Sequence, residues 1–179
     1  NKLIKYSPLV NLTFKKSLKI IVTSEATKNK IPKKYHHKVL VELAISLDKK
    51  KLSKINEIAS LDNKHFLFCY AGVLEHRKGI NILLKIINKL KQNNYNFIFS
   101  FFGDGILRLY IKKYILDNNL SNSVKLFGNL NQLKLHEEMG KNQLLLFPSL
   151  RDSGGLILLE AMSIGLPSAI LNLAGPSEI

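Results

Sequence analysis

The 179-residue sequence contains one cysteine, Cys69, and no tryptophan. A single thiol cannot build a disulfide framework, so a packed core must hold the chain, and a reducing, cytoplasmic setting suits this composition. No stretch is apolar for long enough to span a bilayer. The histidines His36, His37, His65, His76 and His136 show no metal-binding spacing, so no metal site is expected. Acidic residues are also scarce. Against 13 Asp and Glu stand 27 Lys and Arg, a formal net charge of +14. Such an excess suits nucleic acid, an anionic membrane surface or phosphate-bearing small molecules. It also suits plain codon bias, because the chain is rich in Lys, Asn and Ile and its lysines are scattered. Aromatic residues interleaved with a basic face would point to nucleic acid. None is apparent, so no nucleic-acid partner is expected.

What is present reads as a packed protein. Hydrophobic residues make up 46% and charged residues 22%, and the length suits one domain, or one and a piece of another. Residues 19–23 and 39–41 read as short strands and 49–59 as a helix. From residue 66 a regular alternation begins. The apolar run 66–71 has the pattern of a strand buried on both faces. Ile80, Leu83, Leu84, Ile87 and Leu90 follow at helical spacing. Residues 96–102, 124–127, 144–147 and 167–171 read as further strands. Between them, helices are expected over 107–114, 133–139 and 155–164. This order predicts an α/β fold, a doubly wound parallel sheet of Rossmann-like type, with ligands beyond the carboxyl ends of its strands.

The strand-to-helix junctions therefore carry the functional information. In AGVLEHRKG, Arg77 and Lys78 precede a helix N-terminus, where cations are disfavoured by about 0.3–1 kcal/mol. Either an anion gathers them, with Gly72 and Gly79 allowing close backbone approach, or the loop is simply basic and solvated. The turn Gly103-Asp104-Gly105 is explained by geometry alone. Gly128-Asn129-Leu130-Asn131 ends a strand and caps a helix. Residues 151–167, RDSGGLILLEAMSIGLP, set Asp152, Ser153, Gly154 and Gly155 at the mouth of an apolar helix that contains Glu160. Backbone N–H groups around Gly154, Gly155 and Leu156 suit an anion. Helical side chains lean toward the N-terminus, so Glu160 aims at the same mouth. There it would accept hydrogen bonds from neutral hydroxyls such as a ribose diol, or else pair with a Lys or Arg. Asp152 would hold a second polyol, or serve as a surface acid or helix cap.

Taken together these segments resemble the C-terminal, donor-binding half of glycosyltransferase family 4, which comprises retaining enzymes of the GT-B architecture. DSGGLILLEAMSIGLP is similar to the family's segment with two acids seven residues apart, and AGVLEHRKG to its phosphate loop. FGDG, VKLFGNL, LLLFPS and NLAGPSEI match in the family's order. The resemblance implies that Lys78, with the backbone at Gly154, Gly155 and Leu156, binds the diphosphate of a nucleotide-sugar donor. It implies that Glu160 holds the ribose, and that Asp152 holds the transferred sugar and stabilises charge at its anomeric carbon. The loop with Gly128 and Asn129 would lie near the base. Three positions depart from the pattern. Val73 stands where the family has a loop arginine, with Arg77 nearby to compensate. Asp152 is one methylene shorter than Glu, and Gly154 replaces an aromatic.

The resemblance further implies a glycan or lipid-linked acceptor, no metal or other cofactor, and a cytoplasmic protein with peripheral association to an anionic inner-membrane face. Residues 1–43 resemble the tail of the acceptor-side half plus the start of a linker, and 44–179 a partial donor half. The expectation is thus a chain truncated at both ends, inactive by itself. A GT-B-type sugar-nucleotide epimerase, a non-catalytic family member and a basic nucleic-acid-binding α/β domain remain as alternatives.

Overall fold

The computed structural model describes residues 7–42, 64–151 and 155–173. The helix expected over 49–59 lies outside the described residues. Two parallel sheets form. In the smaller, β1 (Ile20–Val22) pairs with β2 (Val39–Val41). Helices α1 (Pro8–Lys16) and α2 (Glu25–Lys28) and a 3-10 turn over Lys33–Lys38 accompany it. Its own small core is Val22, Ile31 and Tyr35, with Phe14 of α1 against the Tyr35 ring.

The larger sheet contains β3 (Phe66–Ala71), β4 (Phe97–Phe102), β5 (Val124–Gly128), β6 (Leu144–Phe147) and β7 (Ser168–Ile170), all in parallel pairs. Their spatial order is β5-β4-β3-β6-β7. Counted from β3, this is the Rossmann order 3-2-1-4-5, with its switch point between β3 and β6. Right-handed crossovers put α3 (Ile80–Gln92) and α4 (Arg108–Asp117) on one face of the sheet and α5 (Gln132–Gly140) and α6 (Leu156–Ser163) on the other. The Tyr114 hydroxyl of α4 donates to the Leu84 carbonyl of α3. On the other face, α5 and α6 meet through Gln132 and Glu160.

Local chemistry explains these elements. FIFSFF of β4 is buried at five of its six positions, as a central strand covered on both faces must be. The helical spacing in α3 buries Ile80, Leu83, Leu84 and Ile87 and leaves Lys85 and Lys89 in solvent. Asparagine ends α3 and α4. Asn94 and Asn119 take the left-handed conformation (φ 56° and 51°) just past each helix. At the first end, the amides of Asn94 and Tyr95 bond back to Lys91 and Leu90; at the second, those of Asn119 and Leu120 bond to Leu116 and Ile115. These are Schellman closures, and Asn tolerates the backbone they need. Cys69 lies wholly buried in β3. Burial pushes its thiol well above the ordinary cysteine range, so it acts as a small core hydrophobe.

The pattern did not foreshadow α1. None of its nine residues is fully buried and Leu9 and Leu12 are exposed; Val10 and Phe14, four apart, are half-buried, an apolar stripe too short to identify an amphipathic helix from the pattern.

Candidate functional site

The carboxyl ends of β3, β4 and β5 are stitched together by backbone. The Gly72 amide donates to the Phe102 carbonyl (3.0 Å) and the Gly103 amide to the Gly128 carbonyl (2.8 Å). Leu74 donates to Asp104 (2.9 Å), and Leu107 returns a bond to Leu74 (3.0 Å). Gly103 adopts φ 125°, and a Cβ there would lie 2.1 Å from the Gly72 carbonyl oxygen. Only glycine fits that approach. Gly72, Gly103 and Gly128 therefore line up along one sheet edge. Gly72 and Gly103 open onto a cavity of about 250 Å³ whose walls include Val73, Asn129, Leu135 and Ile157.

The loop after β3 runs to the switch point. Its 3-10 turn, His76–Lys78, ends at Gly79, which takes φ 76° and starts α3. A Cβ on Gly79 would lie 1.9 Å from the Pro148 carbonyl oxygen, and the Leu150 amide donates to the Arg77 carbonyl (2.9 Å). The β3 and β6 loops are thus in direct contact. Lys78 sits at this junction with its Nζ 5.8 Å from the centroid of the Phe147 ring. Arg77 is placed differently. Its Nε meets the Glu75 carboxylate at 2.6 Å on an exposed surface, so its charge is already matched. Val73 is half exposed, and its carbonyl accepts from the Tyr70 hydroxyl (2.9 Å).

On the opposite face, α6 begins after Gly155 in the left-handed conformation (φ 55°). Asp152, Ser153 and Gly154 lie outside the described residues. Leu156 is half exposed at the first helical position, and Ile157 borders the cavity. Glu160, one turn further, is only 7% exposed. Among the described residues its carboxylate has two neighbours, both on α5. Gln132 Nε2 donates to Oε1 at 3.2 Å, and His136 Nε2 lies 3.6 Å from Oε2. No described Lys or Arg forms an ion pair with it.

Gln132, His136 and Arg108 had no place in the sequence-derived site. Asn131 does cap α5 as its position suggested, its side chain accepting from the Lys134 amide (2.9 Å). The helix then starts at Gln132, so Gln132 and His136 stand one turn apart. That spacing was visible in the sequence, but nothing there shows that this face meets α6. Arg108 reaches from the start of α4 toward β5. Its Nη1 lies 3.6 Å from Asp104 Oδ2 and 3.2 Å from where a Cβ on Gly128 would be. Among the described residues no group of three or more His, Cys, Asp or Glu side chains could hold a metal ion. No described helix is long and apolar enough to cross a membrane.

A larger cavity, about 820 Å³, lies between the small sheet and the β6 loop. Its walls are mainly hydrocarbon, from Phe14, Val22, Ile31, Pro32 and Leu150, and Arg151 borders it. It lacks the converging strand-end loops of the smaller cavity, which is the better candidate for a polar ligand.

Known proteins share this arrangement. Among curated relatives, the amylovoran biosynthesis glycosyltransferase AmsK of Erwinia amylovora is 30% identical over 112 residues, covering 59% of this chain and 28% of that protein. An uncharacterized glycosyltransferase of Methanocaldococcus jannaschii is 26% identical over 161 residues, covering 90% of this chain and 42% of that protein. The chain thus spans less than half the length of either. Among solved structures, the lipopolysaccharide outer core galactosyltransferase WaaB superposes with a TM-score of 0.73 at 16% identity, over 98% of this chain and 49% of that one. Anabaena HepE in complex with UDP and glucose gives 0.70 at 21% identity, over 94% and 48%. These structures share the fold, a parallel α/β unit matching half of a GT-B glycosyltransferase. The glycosyl transferases group 1 family matches residues 52–179, the stretch that carries the five-stranded sheet and both sides of the cavity, and the chain belongs to that family.

Proposed function

We propose that this chain carries the donor-binding half of a retaining glycosyltransferase. Its substrate is a nucleoside-diphosphate sugar, and the sugar passes to a glycan or lipid-linked acceptor. Residues 1–43 would be the tail of the acceptor-side half and 44–179 part of the donor half, a division that agrees with the two separate sheets. One observation carries the reading. Lys78 and the start of α6 flank the switch point of a Rossmann-ordered sheet, and the nearby buried carboxylate, Glu160, meets no Lys or Arg among the described residues.

A diphosphate needs cations and helix N-termini. Lys78 supplies the first and the amides around Gly154, Gly155 and Leu156 the second, with Ser153 beside them. A ribose needs acceptors, and a carboxylate held by neutral partners keeps lone pairs for hydroxyl groups. Gly72 leaves room for close approach, and Gly128 with Asn129 borders the base. Asp152 would hold the sugar and stabilise positive charge at its anomeric carbon. The fixed positive field at the diphosphate then draws off the leaving group, so the proposal includes no metal. Arg77, paired with Glu75, is the second cation of the same loop. The charge of +14 favours peripheral contact with an anionic membrane face. UDP is the first donor nucleotide to test, since HepE and TarM of Staphylococcus aureus were both solved with it.

Titration calorimetry on the full chain with UDP, GDP and ADP tests the reading. One of them is expected to bind, and Lys78→Ala should weaken that binding about tenfold, the scale of one charge-assisted contact. Salt-sensitive binding of oligonucleotides, with none of the three nucleotides bound, would replace this reading with a nucleic-acid-binding one.

A further inference from the structure

His136 is 1% exposed, and neither ring nitrogen has a hydrogen-bond partner. A histidine packed only for its bulk normally finds a partner for at least one nitrogen, because burying an unpaired polar group costs about 1–3 kcal/mol. Among the described residues the charged group paired with it is Glu160, with Oε2 at 3.6 Å from Nε2. That is too long for a hydrogen bond, which needs about 2.7–3.2 Å. A shift of about half an ångström would close it. The other carboxylate oxygen already accepts from Gln132. Gln132 and His136 are four residues apart on α5 and so share one helix face. Two donors from one face thus address the two oxygens of one carboxylate. The residues beside them, Leu135 and Ile157, line the 250 Å³ cavity.

We propose that His136 is a positioning residue for Glu160, whose Nε2–H, together with the Gln132 amide, steers the carboxylate so that its remaining lone pairs meet the ribose diol of a nucleoside diphosphate in the adjoining cavity. The inference rests on the reading of Glu160 as a hydroxyl acceptor. It goes beyond that reading in assigning the orientation of the acid to a second helix. His136 touches no ligand itself. Its effect is confined to selectivity for the diol, because base and phosphates are held by other loops.

The experiment is calorimetry on the full chain with whichever of UDP, GDP and ADP binds, compared with the 2′,3′-dideoxy form of the same nucleotide. The ratio of the two affinities reports the diol contact alone. The unaltered protein is expected to favour the ribose form by about tenfold or more, the scale of hydrogen bonds to a charged group. Glu160→Gln and His136→Leu should each bring the ratio toward one while leaving affinity for the dideoxy form within about twofold. His136→Gln, whose amide nitrogen can stand where Nε2 stands, should restore most of the preference. His136→Asn, polar but too short, should not. The Asn variant serves if the Leu variant melts early by circular dichroism. A ratio unchanged in the Leu or Asn variant, or an equal loss for both nucleotide forms, overturns the role of His136 and leaves the ribose reading intact. A ratio near one in the unaltered protein sinks the ribose reading of Glu160 itself. Absence of binding by all three nucleotides overturns the donor site and this inference with it.

Discussion

At Gly103 the chain comes so close to Gly72 that no side chain fits between them, and four backbone hydrogen bonds tie the β3, β4 and β5 loops together. Across the same cavity, around Glu160, the approach is through side chains. A buried carboxylate and a buried imidazole from two helices meet there, and the amide of the exposed Gln132 reaches in; one contact is a hydrogen bond, and another is too long to be one. The first wall is set by backbone geometry and has little freedom to adjust. The second depends on how two helices sit against each other, and small shifts change what its acid can do. A rigid wall fixes the shape of the cavity whatever the side chains around it do. An adjustable wall suits hydroxyl groups, whose recognition is directional.

The largest effect should come from breaking the rigid wall. Gly103→Ala puts a methyl group 2.1 Å from a carbonyl oxygen at a φ of 125°. The substitution should lower stability by about 2–4 kcal/mol, read as a fall in the denaturant midpoint. It should also abolish nucleotide binding, because the β3 and β4 loops must separate. A stable Gly103→Ala protein with unchanged affinity would show that the backbone contact is incidental.

The next test contrasts the two acids, given the true donor and acceptor. Asp152→Asn keeps the shape but loses the charge, and should lower kcat about 10²–10³-fold with little change in KM. Glu160→Ala should mainly raise the KM for the donor, because a ribose contact is equally present in ground and transition states. The reverse pattern would exchange the two roles. No change in either would make both acids structural.

The smallest effect concerns the outer face of α5, the helix that carries His136 inward. Glu138 lies 2.7 Å from Lys141 and 3.1 Å from Lys134. The hydrogen bond from Lys141, followed by that from Lys134, holds its carboxyl below the usual range. A lowered folded-state pKa means that the stabilisation is present above the ordinary carboxylate value, near pH 4.3, and is lost as pH falls through the folded value. Glu138→Gln should therefore cost at most about 1 kcal/mol at pH 7, and denaturation curves of the two proteins should converge toward pH 3. A difference that persists in acid would mean that Glu138 acts through packing.

The sequence pattern anticipated the rigid wall far better than the adjustable one. The runs at 66–71 and 144–147 became β3 and β6 without change of boundary. Gly72, Gly103 and Gly128 stood out because glycine at a strand end marks a backbone need that is local. Lys78 was legible for the same reason, as a cation at a helix start. Arg77 was grouped with it because composition does not reveal that Glu75 would capture its guanidinium. Glu160 was legible as an anomaly, a charge within LILLEAMS, but its partners were not. Helix α5 was expected to start at 133, which left Gln132 outside it, and His136 belonged to no motif. α1 escaped notice because it fully buries no side chain and packs mainly through Phe14.

The sequence by itself determined the alternation of strands and helices, the parallel sheet and the strand-end loops where a ligand belongs. Periodicity and glycine placement are written residue by residue, and right-handed crossover leaves few ways to connect them. Only the tertiary structure decided which face of α5 meets α6, and hence that Glu160 is surrounded by Gln132 and His136, with no described Lys or Arg paired to it. It also decided that Gly79 rests on Pro148, which joins the Lys78 loop to the β6 loop. These contacts join residues 28 and about 70 positions apart. They follow from the strand order β5-β4-β3-β6-β7, in which β6 returns to the side of β3. No local pattern encodes such a return, because it is selected by burying both faces of the sheet at once.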